Sequence, residues 1–357
     1  MTAEPLPPGG ADTPYASVDL DAVTRNVERM QAYCDSHGLA CRPHVKTHRL
    51  PAIAHQQIRA GAVGITCQKL SEAAIMVAAG IEDVLIAYPV LGEAKLERLC
   101  GLAALARISI AADSAEIAVG VSHALARRGL ELDFLIECDT GLGRTGVQSP
   151  EQALELATLV DGLPGLRFAG LMTYPTSPRT EPFFADARER IERAGLEVRT
   201  LSGGGTETAL HTHELANLTE LRTGTYVFGD RACIANGSVA LEDCALRVHA
   251  TVVSRPTPRR AILDAGSKVL TKDPVEAAGA HGYGLLLERP GALIDELFEE
   301  HARVELSSEE APLELGEVVS IVPNHACGTT YMQPRVLVHR GGEAAGWWPV
   351  TGRGAVR

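Results

Sequence analysis

Several features that would assign this chain of 357 residues to a common class of protein are missing. No apolar run is long enough to span a bilayer, which argues against a membrane protein. No basic tract or basic patch with interleaved aromatics is present, and the net charge is −12, so nucleic acid is not expected as a partner. Residues 1–14 are rich in Pro and Gly and lack the basic and apolar regions of a signal peptide. We therefore predict a loose leader and a cytoplasmic protein.

A disulfide framework is not indicated either, since the eight cysteines include no C-x-x-C pair. Seven of them lie in mostly apolar surroundings, as buried free thiols do, whereas Cys327 stands two positions after a histidine. A chain without disulfides is expected in the cytoplasm. The composition, 45% hydrophobic and 22% charged, is ordinary for a globular protein, and the length predicts one large domain plus a smaller one.

Strand-like apolar runs alternate with amphipathic helical stretches from residue 15 to about 240. After an opening strand at Tyr15–Asp19 and a helix at Asp21–His37, the pattern predicts strands near 40–45, 63–67, 84–88, 107–112, 133–138, 167–173, 198–203 and 220–227. It predicts helices near 51–60, 70–79, 92–104, 114–128, 150–161, 181–194 and 207–214. Eight strands alternating with helices indicate an α/β fold, a (β/α)8 TIM-type barrel. A doubly wound open sheet is the alternative, but no G-x-G-x-x-G follows the first strand.

The pattern changes in residues 241–357. Short strand-like runs are separated by turn residues, and helical patterns are scarce. This texture predicts a smaller all-β domain. The opening strand at Tyr15–Asp19 could join that domain, because a strand before the barrel needs a pairing partner.

An unusual lysine stands in Arg42-Pro43-His44-Val45-Lys46-Thr47-His48, at the end of the first predicted barrel strand. Catalytic groups of such barrels lie at the C-terminal ends of the strands. A lysine whose ammonium form is disfavoured by burial and neighbouring positive groups is the nucleophile that forms Schiff bases with carbonyls. For this heptapeptide alone, a surface lysine beside two loop histidines is the alternative. Other uncommon residues also fall at predicted strand ends, namely Gln68, Lys69, Tyr88, Asp139–Arg144 and Tyr174.

Two turns of small residues follow the seventh and eighth predicted strands, Ser202-Gly203-Gly204-Gly205-Thr206 and Gly224-Thr225. Glycines let backbone N–H groups approach an anion, and a following helix adds the positive end of its dipole. These two loops are the usual phosphate site of a barrel, although a tight turn without a ligand is the alternative for each. A lysine and a phosphate site at one barrel mouth suggest pyridoxal phosphate. Arg144 and Arg222 would then lie near its ring, or else form salt bridges, for instance with Asp139.

The chain resembles the fold-type III pyridoxal phosphate enzymes, in the branch of D-threonine aldolase and D-serine dehydratase, over essentially its whole length. The motifs that carry the resemblance are Arg42–His48, Gly64–Lys69, Gly141–Gly146, Gly203–Thr206, Ile262–Lys268 and Pro323–Cys327. The resemblance implies that Lys46 forms the Schiff base with the cofactor, that Arg144 lies near its phenolic oxygen, and that Arg222 has the position of the arginine that faces the pyridine nitrogen in alanine racemases. It also implies a homodimer. The other predicted cofactor-binding residues are His44, Gln68, Tyr174, Ser202, Gly203, Gly204, Gly205, Thr206, Gly224, Thr225 and Tyr226.

A candidate metal site lies in the second domain, at His325-Ala326-Cys327. Two such ligands two positions apart on one strand can bind one metal and leave positions open for water and substrate. A loop histidine and a buried thiol are the alternative for so short a motif. D-Serine dehydratases place zinc on a His-x-Cys pair and some D-threonine aldolases place a divalent metal on His-x-Asp. The resemblance therefore implies Zn, Mn or Mg here, acting on the β-hydroxyl of the substrate.

The resemblance implies a lyase that acts on D-β-hydroxy amino acids, most simply a D-threonine aldolase that forms glycine and acetaldehyde. A D-serine dehydratase that forms pyruvate and ammonia, a 3-hydroxy-D-aspartate aldolase and a non-catalytic cofactor carrier are the alternatives. The His-x-Cys pair favours the dehydratase and the overall sequence favours the aldolase. Lys46 and Tyr174 are predicted catalytic residues. Some aldolases have a histidine directly after the tyrosine, but Pro175 stands here, so His281, His301 or a water on the metal could be the base.

Overall fold

The computed structural model describes residues 11–275 and 280–357, so most of the predicted leader, residues 1–10, lies outside the described residues. The chain forms two compact units. The β unit contains Thr47–Ala52 and the described parts of Met1–Arg29 and Thr225–Gly354. The barrel unit contains Met30–Lys46, Ile53–Gly224 and Ala355–Arg357. Strand β1 (Tyr15–Asp19) and helix α1 (Leu20–Ser36) begin the regular structure.

The barrel unit is built on one parallel sheet of eight strands in the order β2-β9-β8-β7-β6-β5-β4-β3. The strands are β2 (Ala40–Cys41), β3 (Ile65–Cys67), β4 (Asp83–Ile86), β5 (Arg107–Ala112), β6 (Leu132–Cys138), β7 (Leu166–Thr173), β8 (Thr200–Gly203) and β9 (Glu220–Leu221). Past β2, the amide of Val45 donates to the carbonyl of Thr66 over 2.9 Å, and the amide of Thr66 donates to the carbonyl of Pro43 over 2.8 Å. These bonds join the two edges of the sheet, so the predicted TIM-type barrel is confirmed.

Helices alternate with these strands because apolar residues recur at helical spacing in the intervening segments. They are α2 (Pro51–Ala60), α3 (Leu70–Ala78), α4 (Glu93–Ala103), α5 (Ala115–Ala126), α6 (Pro150–Asp161) and α7 (Thr180–Arg193). Helix α6 has a complete start signal: Ser149 accepts the amide of Gln152, and Pro150 occupies the first turn, where its missing N–H costs nothing. Phe134 and Phe184 are fully buried between sheet and helices.

Two predicted elements near residue 220 differ from the structure. The predicted strand 220–227 ends at Leu221, and Thr225–Val227 is a 3-10 helix. Backbone pairing continues a little past Leu221, since the carbonyl of Thr223 accepts the His44 amide over 2.9 Å. Gly224 then ends the extended segment, because glycine gains little from the extended conformation. The predicted helix 207–214 is a 3-10 helix, Ala209–Glu214, in a segment rich in Thr and His, which are weak helix formers.

The β unit is organised around a nine-stranded sheet with the path β13-β14-β11-β10-β1-β16-β17, and β15 pairs with β10 and β12. The strands that follow the barrel in the chain are β10 (Leu246–Thr257), β11 (Arg260–Leu263), β12 (Leu285–Leu286), β13 (Leu293–Leu297), β14 (Ala302–Glu305), β15 (Val318–Val322), β16 (Arg335–Arg340) and β17 (Glu343–Pro349). In β10, alternate residues are buried from Leu246 to Val252, so one face of this strand covers the core. Strand β1 lies between β10 and β16.

The second unit is therefore sheet-rich, as predicted, but it is not purely β. Three short helices occur in its described residues: α8 (Arg231–Ala235), α9 (Ser267–Leu270) and α10 (Ala326–Met332). A 3-10 turn covers Leu241–Asp243. Across the described residues, no helix combines the length and apolarity needed to cross a membrane.

Candidate active site

Lys46 follows β2 at the mouth end of the barrel sheet, and its side chain lies beside Tyr174. The Lys46 Nζ atom is 5.2 Å from the centre of the Tyr174 ring. The Arg144 guanidinium is 5.3 Å from the same ring. Both distances are within the range at which a cation is attracted to an aromatic face. The barrel unit thus brings together three residues predicted from three different strand ends.

His44 fixes the backbone next to Lys46. Its Nδ1 atom accepts the amide of Lys46 over 3.3 Å, and its Nε2 atom lies 3.0 Å from Oε1 of Gln68. The Gln68 amide nitrogen donates to the carbonyl of Ala87 over 3.0 Å, which leaves Oε1 as an acceptor. The network therefore assigns the proton of neutral His44 to Nε2. His44 and Gln68 together tie the Lys46 segment to the ends of β3 and β4.

Arg144 has a different acidic partner from the one expected. Asp139 accepts the amides of Gly141 and Gly143 over 2.9 and 3.1 Å, and these backbone bonds lower the pKa of its carboxyl. The Arg144 guanidinium instead lies 3.8 Å from Oε1 of Glu137. Glu137 is buried, which raises the pKa of its carboxyl. The suggested Arg144–Asp139 salt bridge is therefore replaced by a contact with Glu137.

Arg222 is buried inside the barrel and is held by two hydrogen bonds. Its Nε atom donates to Ser202 Oγ over 2.7 Å, and its NH2 atom donates to the carbonyl of Thr173 over 2.6 Å. Ser202 in turn donates to Glu220 Oε1 over 2.6 Å. Glu220 also accepts Arg42 Nε over 2.7 Å. The buried carboxylate of Glu220 thus holds Ser202 in place, and Ser202 in turn holds Arg222.

The two predicted phosphate turns lie side by side. The hydroxyl of Thr206 is 2.9 Å from that of Thr223, directly before Gly224. Within the described residues, the amides of Gly205, Thr206 and Gly224 have no hydrogen-bond acceptor. Backbone donors without acceptors on two adjacent turns suit an anion such as a phosphate group, so the turn chemistry fits the cofactor. The helix dipole expected behind this turn is not provided by an α-helix, because Ala209–Glu214 is a 3-10 helix.

The predicted metal pair lies in the β unit and is not on a strand. His325 is the residue before helix α10, and Cys327 lies in its first turn. The Ala326 amide donates to Asp230 Oδ2 over 3.0 Å, because the first amides of a helix lack partners within the helix. The prediction of a shared strand was wrong because this segment meets a capping carboxylate, Asp230, which comes from a distant part of the chain.

Hydroxyl groups and a carboxylate surround the pair. The Thr47 hydroxyl is 3.1 Å from Cys327 Sγ, and the Thr225 hydroxyl is 3.8 Å from it. His325 Nδ1 is 2.8 Å from Asp273 Oδ2. Contact with Cys327, followed by that with Asp273, raises the pKa of His325 to about 9. Within the residues described, no group of three or more His, Cys, Asp or Glu side chains has the geometry of a metal site. An imidazole nitrogen and a thiolate nevertheless form a donor set that suits zinc.

The remaining predicted residues have more peripheral positions. Tyr226 is buried in the 3-10 turn that follows Gly224. His281 and His301 are both exposed. His301 ends the turn between β13 and β14, where its carbonyl accepts the amide of Phe298 over 2.8 Å. The carbonyl of Gly282, next to His281, accepts the side-chain amide of Asn324 over 2.8 Å, and Asn324 directly precedes His325.

Sequence inspection missed four residues that support these sites: Glu137, Glu220, Thr47 as a contact of Cys327, and Asp273. Glu137 and Glu220 carried a usable signal, since each is an acidic residue within a predicted buried strand. Thr47 was inside a recognised motif, but nothing indicated its partner. Asp273 gave no signal, because it lies in a loop 52 positions before His325.

Comparisons with known proteins agree with this architecture. Residues 18–232 match the family model of the alanine racemase N-terminal domain, and residues 245–339 match a serine dehydratase domain model. The chain is 37% identical to D-threonine aldolase from Arthrobacter sp, over 97% of this chain and 94% of that protein. It is 34% identical to D-threo-3-hydroxyaspartate dehydratase from Delftia sp. (strain HT23), over 89% of this chain and 91% of that protein.

Solved structures show the same relationship. The crystal structure of D-threonine aldolase from Filomicrobium marinum superposes with a TM-score of 0.87 at 35% identity, over 97% of both chains. The Delftia dehydratase superposes with a TM-score of 0.86 at 32% identity, over 95% of this chain and 97% of that chain. Two further neighbours are alanine variants of a D-threo-3-hydroxyaspartate dehydratase, which replace a histidine and a cysteine two positions apart, and the cysteine variant was solved in the metal-free form.

The fold, the full-length matches and the lyase activities of the relatives leave no support for a non-catalytic carrier. The barrel unit has a lysine after one strand and, after two other strands, glycine turns whose amides at Gly205, Thr206 and Gly224 have no acceptor among the described residues. This chain belongs to the alanine racemase-like, fold-type III family of pyridoxal phosphate enzymes that includes D-threonine aldolase and D-serine dehydratase, and it is a pyridoxal phosphate-dependent lyase.

Proposed function

We propose that this lyase is a metal-assisted D-threonine aldolase that cleaves D-threonine into glycine and acetaldehyde. The observation that carries the proposal is the match to the Arthrobacter aldolase, at 37% identity over 97% of the chain. The similarity of the Filomicrobium aldolase structure supports it. The proposed substrate is therefore a D-amino acid with a β-hydroxyl group.

The barrel residues have distinct proposed tasks. Lys46 binds the cofactor aldehyde, and Gly205, Thr206 and Gly224 bind the phosphate through their amides. Arg222 would hold the ring on its nitrogen side and Arg144 on its phenolic oxygen side. Bound pyridoxal phosphate supplies an electron sink for the electron pair left at Cα when the bond to Cβ breaks. Lys46 in its ammonium form would be the acid that returns a proton to Cα.

The metal is proposed to bind His325 and Cys327 and to lower the pKa of the substrate β-hydroxyl. Zinc, manganese and magnesium are the candidates, and a ligand set with one thiolate favours zinc. The base that removes the hydroxyl proton is proposed to be His281 rather than His301. The hydrogen bond between Gly282 and Asn324 supports this choice, because it ties the His281 loop to the residue before His325.

A dehydratase is the second candidate, and the metal pair favours it. The histidine and cysteine replaced in the D-threo-3-hydroxyaspartate dehydratase variants have the same spacing as His325 and Cys327. In that reaction Lys46 would remove the Cα proton, and the β-hydroxyl would leave. The substrate would be D-serine or D-threo-3-hydroxyaspartate. A 3-hydroxy-D-aspartate aldolase would need the same residues as the first candidate and differs only in what binds the β-substituent.

The test is product analysis with the purified holoenzyme. D-Threonine, D-serine and D-threo-3-hydroxyaspartate are supplied separately, and glycine, aldehyde, 2-oxo acid and ammonia are measured. We expect equal amounts of glycine and acetaldehyde from D-threonine. A 2-oxo acid and ammonia as the main products would replace the aldolase with the dehydratase.

Two further measurements test the assigned groups. Lys46→Ala should lose both the visible cofactor band and turnover, whereas Lys95→Ala, an exposed lysine of α4, should keep both. Chelation should abolish turnover, leave the visible band in place, and be reversed by added metal. Full turnover in metal-free protein would defeat the metal-assisted mechanism.

Light scattering of the purified protein tests the expected homodimer.

A further inference from the structure

The carboxylate of Asp273 is positioned against the proposed metal ligand His325. Its Oδ2 atom is 2.8 Å from His325 Nδ1, a normal hydrogen-bond distance. Because Asp273 takes Nδ1, the ring nitrogen that remains for a metal is Nε2. Both side chains are about half exposed, at 49% and 45%, so the pair is open to ions from solvent.

The loop around Asp273 holds the carboxylate in this place. Thr271 Oγ1 donates to the same Oδ2 atom over 2.9 Å. The side-chain amide of Asn324 donates to the Asp273 carbonyl over 3.0 Å. Thr271 has φ = 63°, in the left-handed region, which is an outlier for a β-branched residue. Such strain is kept where the surrounding structure requires it.

Helix α10 has a glycine, Gly328, where it packs against the loop that carries Thr271 and Asp273. A Cβ atom at Gly328 would lie 3.0 Å from Thr271 Cγ2 and 3.1 Å from Asp273 Oδ2, closer than most real Cβ contacts. The segment that carries His325 and Cys327 therefore contacts the Asp273 loop through Asn324, His325 and Gly328. A solvent-exposed ion pair formed by chance would not be expected to involve so many contacts, since exposed pairs contribute little by themselves.

We propose that Asp273 is a positioning residue for the metal site: it accepts the Nδ1 proton of His325 and orients Nε2 toward the metal. Histidines that bind metals commonly donate their other ring N–H to a carboxylate, which fixes the tautomer and makes the ligand more basic. Asp273 would not be a third ligand, because it contacts Nδ1 of His325 and the metal would take Nε2. This inference rests on the proposed function only in taking His325 and Cys327 as the ligands.

The experiment measures zinc affinity of the full-length holoenzyme by competition with a chromophoric chelator. Asp273→Asn keeps the shape of the side chain and removes its charge. We expect zinc affinity to fall about 10-fold to 100-fold, with the visible cofactor band and the melting temperature unchanged. Activity lost in this variant should return at saturating zinc, which a purely structural defect would not allow. Asp273→Glu should bind zinc more tightly than Asp273→Asn.

A matched control is Asp295→Asn, which removes another carboxylate of the β unit, one that pairs with Arg303 over 2.6 Å. It should leave zinc affinity unchanged. If Asp273→Asn binds zinc as tightly as the wild type, or if both variants lose affinity equally, the positioning role is overturned. The failure of the underlying metal site looks different: zinc affinity would then be insensitive to His325→Ala and Cys327→Ala as well.

Discussion

Glu220 provides a sharp test of how the barrel interior is held together. Its carboxylate accepts Arg42 Nε over 2.7 Å and Ser202 Oγ over 2.6 Å, and the residue is only 5% exposed. Arg222, fully buried above it, has its pKa lowered by burial, while Glu220 and Glu137 oppose that shift. Glu220→Gln would leave the buried Arg222 and the partly exposed Arg42 with one fewer compensating charge.

The expected cost follows from this arrangement. Breaking a buried ion pair by removing one partner costs about 3–5 kcal/mol. Arg42 keeps a second partner, Asp83, so we expect the lower end, about 3 kcal/mol. Urea denaturation of the apoprotein, followed by fluorescence, measures the loss.

The control is Glu189→Gln, which removes an exposed carboxylate that pairs with Arg193 within α7. Exposed pairs of this kind contribute about 0.3–0.5 kcal/mol. A loss below about 1 kcal/mol in Glu220→Gln, or equal losses in the two variants, would refute the idea that a buried carboxylate supports Ser202 and Arg222.

Three other predictions concern stability. Burial lowers the pKa of His249 to about 4, so this side chain takes up a proton at higher pH in the unfolded chain than in the folded protein. The free energy of unfolding should therefore fall as the pH drops from about 6.5 to about 4. His249→Gln should flatten that part of a plot of stability against pH. Phe134→Ala should cost about 3–5 kcal/mol, because the ring is fully buried in the barrel core; a urea midpoint within error of the wild type would contradict this. Gly204→Ala should lower the melting temperature even of the apoprotein, because a Cβ there would lie under 3.0 Å from the Arg222 carbonyl oxygen.

The barrel was predictable because its signals are local. Strand β5 and helices α2 and α6 have the predicted bounds, since apolar periodicity within a short segment decides whether it becomes strand or helix. Errors occurred where tertiary contacts compete with that pattern. Helix α10 begins where a strand was expected because Asp230 caps it. The eighth strand ends at Leu221 for a local reason instead, since the polar Arg222 and Thr223 and then Gly224 follow it.

The positions of the candidate site residues in the barrel were predictable for a different reason. A strand end in a parallel barrel fixes where its side chains lie, so the prediction of a shared mouth for Lys46, Arg144 and Tyr174 needed only the strand count. No comparable rule applies to Asp273 or Thr47. Their partners lie 52 and 280 positions away in the sequence, in loops whose course the sequence does not reveal. Residues that contact a metal-binding or cofactor-binding side chain are therefore harder to predict than that side chain itself.

The glycine run after β8 illustrates how one sequence motif can have more than one structural cause. The prediction attributed Gly203, Gly204 and Gly205 to phosphate binding. In the structure, a side chain at Gly203 would meet Thr176 and Leu218, and one at Gly204 would meet the backbone of Arg222. Both glycines are thus required for packing, with or without a ligand. Only Gly205, with φ = 133° and an open side, has a backbone requirement that packing does not explain. The phosphate argument therefore depends on the amides of Gly205, Thr206 and Gly224. A bulky substitution at Gly204 would weaken cofactor binding through misfolding rather than by crowding the phosphate.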